Sequence, residues 1–237
     1  MLGSIVNAVA IVLGCLLGLL VKNGLKDKYK EIVMHGIGLS VLFIGTSSAI
    51  SGLLNPDSES ILFILSLVIG GLVGEWIGIE RRLEGLGDFL QKKIGKGEHN
   101  ISQGFVTASL IFCVGTMAII GSLESGLRNN HNMLFAKAVL DGITAIILTT
   151  TLGIGVVFSA VAVLLYQGTI VVFASYIEPY LSVDIIREMS IVGGILIVGI
   201  GLSMLDILRV KTANMLPAIL VPAVWYLIGK PLIALIF

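Results

Sequence analysis

Charge is scarce in this chain. Only 13% of residues are ionised, where soluble domains carry roughly 25%. Net charge is zero, so nucleic acid is not an expected partner. Cysteines number two and histidines three. Cys15 and Cys113 both sit inside apolar runs, where an unpaired thiol behaves as a small hydrophobe; neither a disulfide nor a thiol metal site is expected. His35, His99 and His131 are far apart and near loop ends, which argues against a metal site built from them. No GxSxG, HExxH, P-loop or dinucleotide fingerprint occurs. The sequence therefore predicts no enzyme, no cofactor and no direct ATP-driven pump. A basic n-region and a small-residue cleavage site are also lacking, so the apolar stretch that begins at residue 2 reads as a span rather than a signal peptide.

What the chain has instead is apolar length. Residues 139–181 run 43 positions with two formal charges, Asp141 and Glu178. A bilayer span needs about 20 apolar residues, so this run is long enough for two passes. Mean hydropathy is +1.04 and 56% of residues are apolar. The sequence reads as an all-α polytopic membrane bundle, a single transmembrane domain over 1–237. About eight spans are expected, near 2–21, 33–54, 61–80, 103–122, 133–151, 155–175, 187–207 and 213–236. Gly153 and Gly155, after Thr149, Thr150 and Thr151, supply the break inside the long run.

The basic residues set the orientation. With both termini outside, the inner loops hold Lys22, Lys26, Lys28, Lys30, Arg81, Arg82, Lys92, Lys93, Lys96, Arg209 and Lys211, eleven of the fifteen. Crossing only once in 139–181 would move Arg209 and Lys211 outside, against the positive-inside bias. The loop 52–60 has acidic but no basic residues and suits the outer face. In 81–94, Leu83, Leu86, Phe89, Leu90 and Ile94 fall near one helical face. That segment reads either as an amphipathic helix on the inner surface or as an extension of the third span into water.

Internal similarity is visible. Residues 41–50 read VLFIGTSSAI, 111–120 read IFCVGTMAII and 195–204 read ILIVGIGLSM, with Gly45, Gly115 and Gly199 aligned. Gly14 and Gly18 in the first span are echoed by Gly70 and Gly74 in the third. Repeat units over 1–54 and 61–122 follow, with an inverted copy in 155–236 that would pair spans 3–5 with spans 6–8. Inverted repeats are common in alternating-access transporters. The plain alternative is shared Gly, Ile, Leu and Val composition. GxxxG faces also serve helix packing, within one chain or between copies, so a homo-oligomer, a dimer first, is the expected assembly.

Polar residues at depth are the candidate site. Intramembrane charges usually face the bundle interior or water. Lys137 and Asp141 are spaced i,i+4 and share a face, with Asp141 about 12 Å into its span. They read either as a structural ion pair or as a pair lining a solute pathway. Glu75, beside Trp76, is a pathway residue or a snorkelling boundary charge. Glu124, near the outer mouth of span four, reads as a loop residue or an entrance charge. Asn7, Thr46, Thr116, Gln167 and Asn214 offer neutral hydrogen-bonding groups. Thr46 and Thr116 follow aligned glycines and form the preferred neutral substrate site.

Several longer runs resemble one bacterial membrane family, the YqgA/YdfK-like proteins, a domain of unknown function. They are Gly3-Ser4-Ile5-Val6-Asn7, Gly104-Phe105-Val106-Thr107-Ala108-Ser109-Leu110, the stretch from Gly115-Thr116-Met117 to Leu123-Glu124, Lys137-Ala138-Val139-Leu140-Asp141-Gly142, Leu164-Leu165-Tyr166-Gln167-Gly168 and Asn214-Met215-Leu216-Pro217-Ala218. The resemblance implies a multi-pass protein of the bacterial cytoplasmic membrane and carries no catalytic residue. The function read from these features is a secondary transporter or channel for a small solute or ion, with the lipid bilayer as its other partner. The alternative is a non-transport membrane protein: a sensor, assembly factor or regulatory subunit.

Overall fold

The computed structural model describes residues 1–24, 27–82, 85, 101–113 and 116–231. Most of the amphipathic segment 81–94, Gly115 of the repeat alignment and the Thr116 side chain fall outside it. Helices account for its secondary structure, with no strand among the described residues. We number them α1 (Leu2–Gly24), α2 (Asp27–Leu53), α3 (Ser60–Ile77), α4 (Ile101–Cys113), α5 (Thr116–Leu127), α6 (Asn132–Leu152), α7 (Ser159–Val172) and α8 (Val183–Met204). A last segment, α9 (Leu216–Gly229), passes from 3-10 to α to π geometry. Five stretches of the described chain are long and apolar enough to cross a membrane, and the pair α4 and α5, at 61° to each other, makes a sixth if the two are counted as one span. The chain is an all-helical, multi-pass membrane protein.

One of those five stretches is Asn132–Val172, 41 residues long. It does not run straight. Asn7 Nδ2 donates to Asp141 Oδ2 at 2.9 Å and to Gln167 Oε1 at 3.4 Å. Twenty-six residues of unbroken helix would hold those two partners about 39 Å apart. The chain doubles back through a 3-10 stretch, Gly153–Phe158. Gly153 opens it with φ of 73°, a backbone conformation that glycine adopts without a Cβ penalty.

Close glycine contacts fix the helix directions. Gly3 meets Leu134, Gly14 meets Gly142 and Ala145, and Gly18 meets Ile146 and Thr149, so α1 and α6 are parallel. Gly38 meets Met204 and Leu205, Gly45 meets Gly194 and Val198, and Gly52 meets Ile191, so α2 and α8 are antiparallel. Gly70 against Ala218 and Gly74 against Asn214 make α3 and α9 antiparallel too. Both GxxxG faces are thus filled within the chain.

Burial sorts the helices by depth. α8 is buried over most of its length, including Ile191, Val192, Leu196 and Ile200, and lies at the centre. α3 buries only a stripe, Leu62, Ser66, Gly70 and Gly74, one residue per turn, and turns Val68, Leu72 and Trp76 outward. The main core joins Ile11 and Cys15 of α1, Val41 of α2, Phe112 of α4, Leu148 of α6, Val163 of α7 and Ile197 of α8. A smaller cluster joins Ile119, Leu123, Ile170, Ala174 and Ile186.

Candidate functional site

Four sequence-selected residues meet in one buried network. Ser4, Asn7, Ile11 and Cys15 form the inward stripe of α1, at the three- and four-residue spacing that keeps side chains on one helix face. Leu134, Lys137, Asp141, Ala145 and Leu148 form the matching stripe of α6. Lys137 Nζ donates to Asp141 Oδ1 at 2.9 Å, and their side chains are 8% and 7% exposed. Asn7 donates to the other Asp141 oxygen, so each carboxylate oxygen holds one hydrogen bond. Gln167 of α7 completes the group through Asn7. Burial is tolerable because the charges cancel and are hydrogen-bonded. Asn7 Oδ1, Gln167 Nε2 and the nearby Ser4 Oγ remain without protein partners.

Two cavities lie across α4. The first, about 440 Å³, is walled by Phe105, Val106, Leu110, Ile119, Met189 and Leu220, with Ser109, Cys113, Tyr166 and Ser190 as its polar or thiol members. The second, about 530 Å³, is lined by Glu80, Gln103, Thr107, Ser203, Asp206 and Arg209, beside the end of α8. Val106 borders both. The first is an apolar chamber and the second a polar vestibule, one helical turn apart. Lys137 and Asp141 line neither; Cys113, on the chamber wall, lies within electrostatic range of both.

The remaining candidates are spread over the molecule. Glu75 accepts from Lys211 at 3.1 Å and from Asn214 Nδ2 at 2.6 Å, while Asn214 Oδ1 accepts the Glu80 backbone N–H at 2.7 Å. Glu75 and Asn214 therefore clamp α3 to the start of α9 beside the vestibule. Glu124 closes a turn, its backbone carbonyl accepting from Arg128 at 2.9 Å and its carboxylate from Asn130 at 3.4 Å. Thr46 is half-buried on α2, next to the Gly45 contact with α8 and apart from the Asn7 network. Among the described residues no cluster of three or more His, Cys, Asp or Glu could hold a metal ion.

One charged cluster was not anticipated. At the end of the molecule away from the vestibule, Arg187 pairs with Asp184 at 2.7 Å and donates to the Asp57 carbonyl at 2.8 Å. Glu188, 1% exposed, accepts the Glu59 backbone N–H at 3.1 Å. Glu59 in turn pairs with Lys230 and accepts from Trp225 Nε1 at 3.0 Å, and Lys230 lies 3.9 Å over the Tyr226 ring. Burial pushes the Glu59 carboxyl up, but the hydrogen bonds from Lys230 and Trp225 outweigh it and hold the group below its usual range. The Glu59 bond, against some burial, holds Lys230 above its usual value. The sequence signal was the dipeptide Arg187-Glu188 at the expected start of the seventh span.

The chain's lineage follows from its similarity to known proteins. The family model described as "Protein of unknown function (DUF554)" matches residues 2–227. The chain belongs to the DUF554 family. It is 40% identical over 225 residues to the Bacillus subtilis (strain 168) protein named "Uncharacterized membrane protein YdfK", covering 94% of this chain and 95% of the relative. It is 28% identical over 226 residues to the Escherichia coli (strain K12) "Uncharacterized protein YqgA", covering 92% and 93%. No solved structure matches. Neither of these two names assigns an activity.

Proposed function

We propose that this protein is a secondary transporter or channel for a small solute or ion in the bacterial cytoplasmic membrane, and not an enzyme. The observation that carries the reading is the pair of adjoining cavities across α4, a polar vestibule and an apolar chamber that share Val106. A cavity between helices is a common place for a small-molecule site. The bend of 61° between α4 and α5 supports it, since broken helices are a recurrent way to build a transport site at depth. So does the buried Lys137–Asp141 pair behind Cys113.

The topology proposed with it is eight alternating crossings with both termini outside. Parallel α1 and α6, antiparallel α2 and α8, and antiparallel α3 and α9 fit that alternation. A single crossing by 132–172 would reverse α8 against α2. The vestibule then opens inward, near Arg209 and Lys211, and the Glu59–Lys230 cluster lies outside.

Purified protein in liposomes loaded with a pH-sensitive dye, challenged with panels of organic acids, amino acids and monovalent cations, tests the function. Solute-dependent flux above protein-free liposomes is expected. The swap Lys137→Asp with Asp141→Lys is expected to fold and to lose that flux. A folded protein with no flux or conductance across the panel overturns the reading, and flux untouched by the swap removes the pair from the pathway.

A further inference from the structure

The lining of the chamber restricts what it can hold. Six of its walls are Phe105, Val106, Leu110, Ile119, Met189 and Leu220, all without a hydrogen-bonding side-chain group. A strongly hydrated solute would lose its water there with little in return. The Ser190 hydroxyl is already committed, donating to the Ile186 carbonyl of its own helix at 2.7 Å. The Ser109 hydroxyl is not: its oxygen is buried and has no protein partner. Ser109 stands one turn along α4 from Val106, the residue that separates chamber from vestibule. Val106, Ser109, Leu110 and Cys113 recur at the three- and four-residue spacing of one helix face. The Tyr166 phenol adds one further hydroxyl to the lining, and so few hydrogen-bonding groups in an otherwise apolar space match one kind of molecule.

We infer that the chamber binds a small amphiphile. Its apolar body lies between Ile119, Met189 and Leu220, and its hydrogen-bonding head meets Ser109 and points past Val106 into the vestibule. A volume of about 440 Å³ falls in the range of roughly 300–1,000 Å³ usual for small-molecule sites. This rests on the transport reading and gives its substrate a chemical class. The same chemistry is offered by a free medium-chain solute and by the acyl chain and head of a membrane lipid.

Photolabelling of the whole protein in nanodiscs of phosphatidylethanolamine and phosphatidylglycerol separates these. The first probe is decanol carrying an alkyl diazirine; the second is a phosphatidylethanolamine with the diazirine in its acyl chain. Saturable labelling of chamber residues such as Leu110 and Met189 is expected, competed by decanol and not by alanine. Labelling of Leu72 and Trp76 on the outward face of α3 supplies the bulk-lipid background and is expected not to saturate. Ser109→Ala is expected to raise the decanol concentration needed for competition roughly three- to tenfold, the loss of one hydrogen bond, without changing the α3 background. Chamber labelling by the alcohol alone assigns a free solute, and by both probes a membrane lipid. Labelling confined to the α3 face, competition by alanine as well as decanol, or a Ser109→Ala response equal to wild type each overturns the amphiphile site. Chamber labelling with no flux overturns transport and leaves the site standing; flux of a hydrophilic solute with no chamber labelling does the reverse.

Discussion

Asp141 receives a hydrogen bond on each oxygen, one from Lys137 on its own helix and one from Asn7 on another. Replacing it with Asn removes the negative charge and leaves Lys137 buried without a counter-charge, a loss of about 3–5 kcal/mol for a buried pair broken on one side. Asp141→Asn is therefore expected to lower the unfolding temperature in detergent sharply. Adding Lys137→Met is expected to restore most of the loss, because no uncompensated charge then remains. A double variant as unstable as the single one would show that the pair itself, and not the stranded lysine, holds the helices. On the proposed topology Glu59 and Lys230 lie outside the membrane, where they give a pH signature. Glu59 is held below its usual value, so its contribution is complete above the ordinary carboxylate pKa of about 4.3 and is lost as pH falls through the lowered one. Lys230 is held above its usual value, so its contribution is complete below about 10.4 and is lost as pH rises further. Thermal midpoints are expected to be flat across the neutral range and to fall at both ends, and Glu59→Gln is expected to flatten the acid limb. An unchanged acid limb would mean that other carboxylates govern it. The Lys137–Asp141 contact was legible because i,i+4 spacing fixes it locally. Its meeting with Asn7 and Gln167 was not, since 134 and 160 residues separate Asn7 from those partners and only the fold-back at Gly153 unites them.

At the scale of helices, glycines set the spacing. An added Cβ on Gly45 would collide with the Gly194 carbonyl and the Val198 nitrogen at 2.6 Å, both backbone atoms that cannot rotate away. On the same helix, a Cβ on Gly36 would meet nothing within 4 Å. Gly45→Ala is expected to push α2 off α8 and to destabilise by about 1–3 kcal/mol, the usual cost of overpacking. Gly36→Ala is expected to be neutral or stabilising by roughly 0.5–1 kcal/mol, since alanine loses less conformational freedom in a helix. Detergent melts of the two variants check the pair, and equal shifts would deny that close approach matters. Most helix limits were readable from hydropathy: the expected 133–151 became Asn132–Leu152 and 61–80 became Ser60–Ile77. The expected start of span seven at 187 came four residues late. Ser182 caps α8, its hydroxyl accepting the Ile185 N–H, and the charges of Asp184, Arg187 and Glu188 hid that turn from a hydropathy window. The last span was expected as one run over 213–236. Its described part changes helix type twice, with Pro217 and Pro222 at the start of its 3-10 and α pieces, where a missing N–H is tolerated.

Across the whole molecule, the two ends differ. The end holding Arg209 and the α8 terminus carries a polar vestibule. The other is tied by ion pairs and hydrogen bonds that join the α2–α3 loop, the start of α8 and the end of α9. An alternating-access transporter must release the tied end when the vestibule closes, whereas a channel conducts through one conformation. A cross-link over that end separates the two. Glu59→Cys with Lys230→Cys, in a chain with Cys15→Ala and Cys113→Ala so that no other thiol remains, places the reactive pair where the ion pair stood. A short, reducible bis-thiosulfonate linker is expected to stop solute flux in liposomes, and dithiothreitol to restore it. Each single cysteine variant treated alike is expected to keep its flux, because one anchored end ties nothing. Flux that continues under complete cross-linking would assign a channel, for a fixed tied end would then be compatible with conduction.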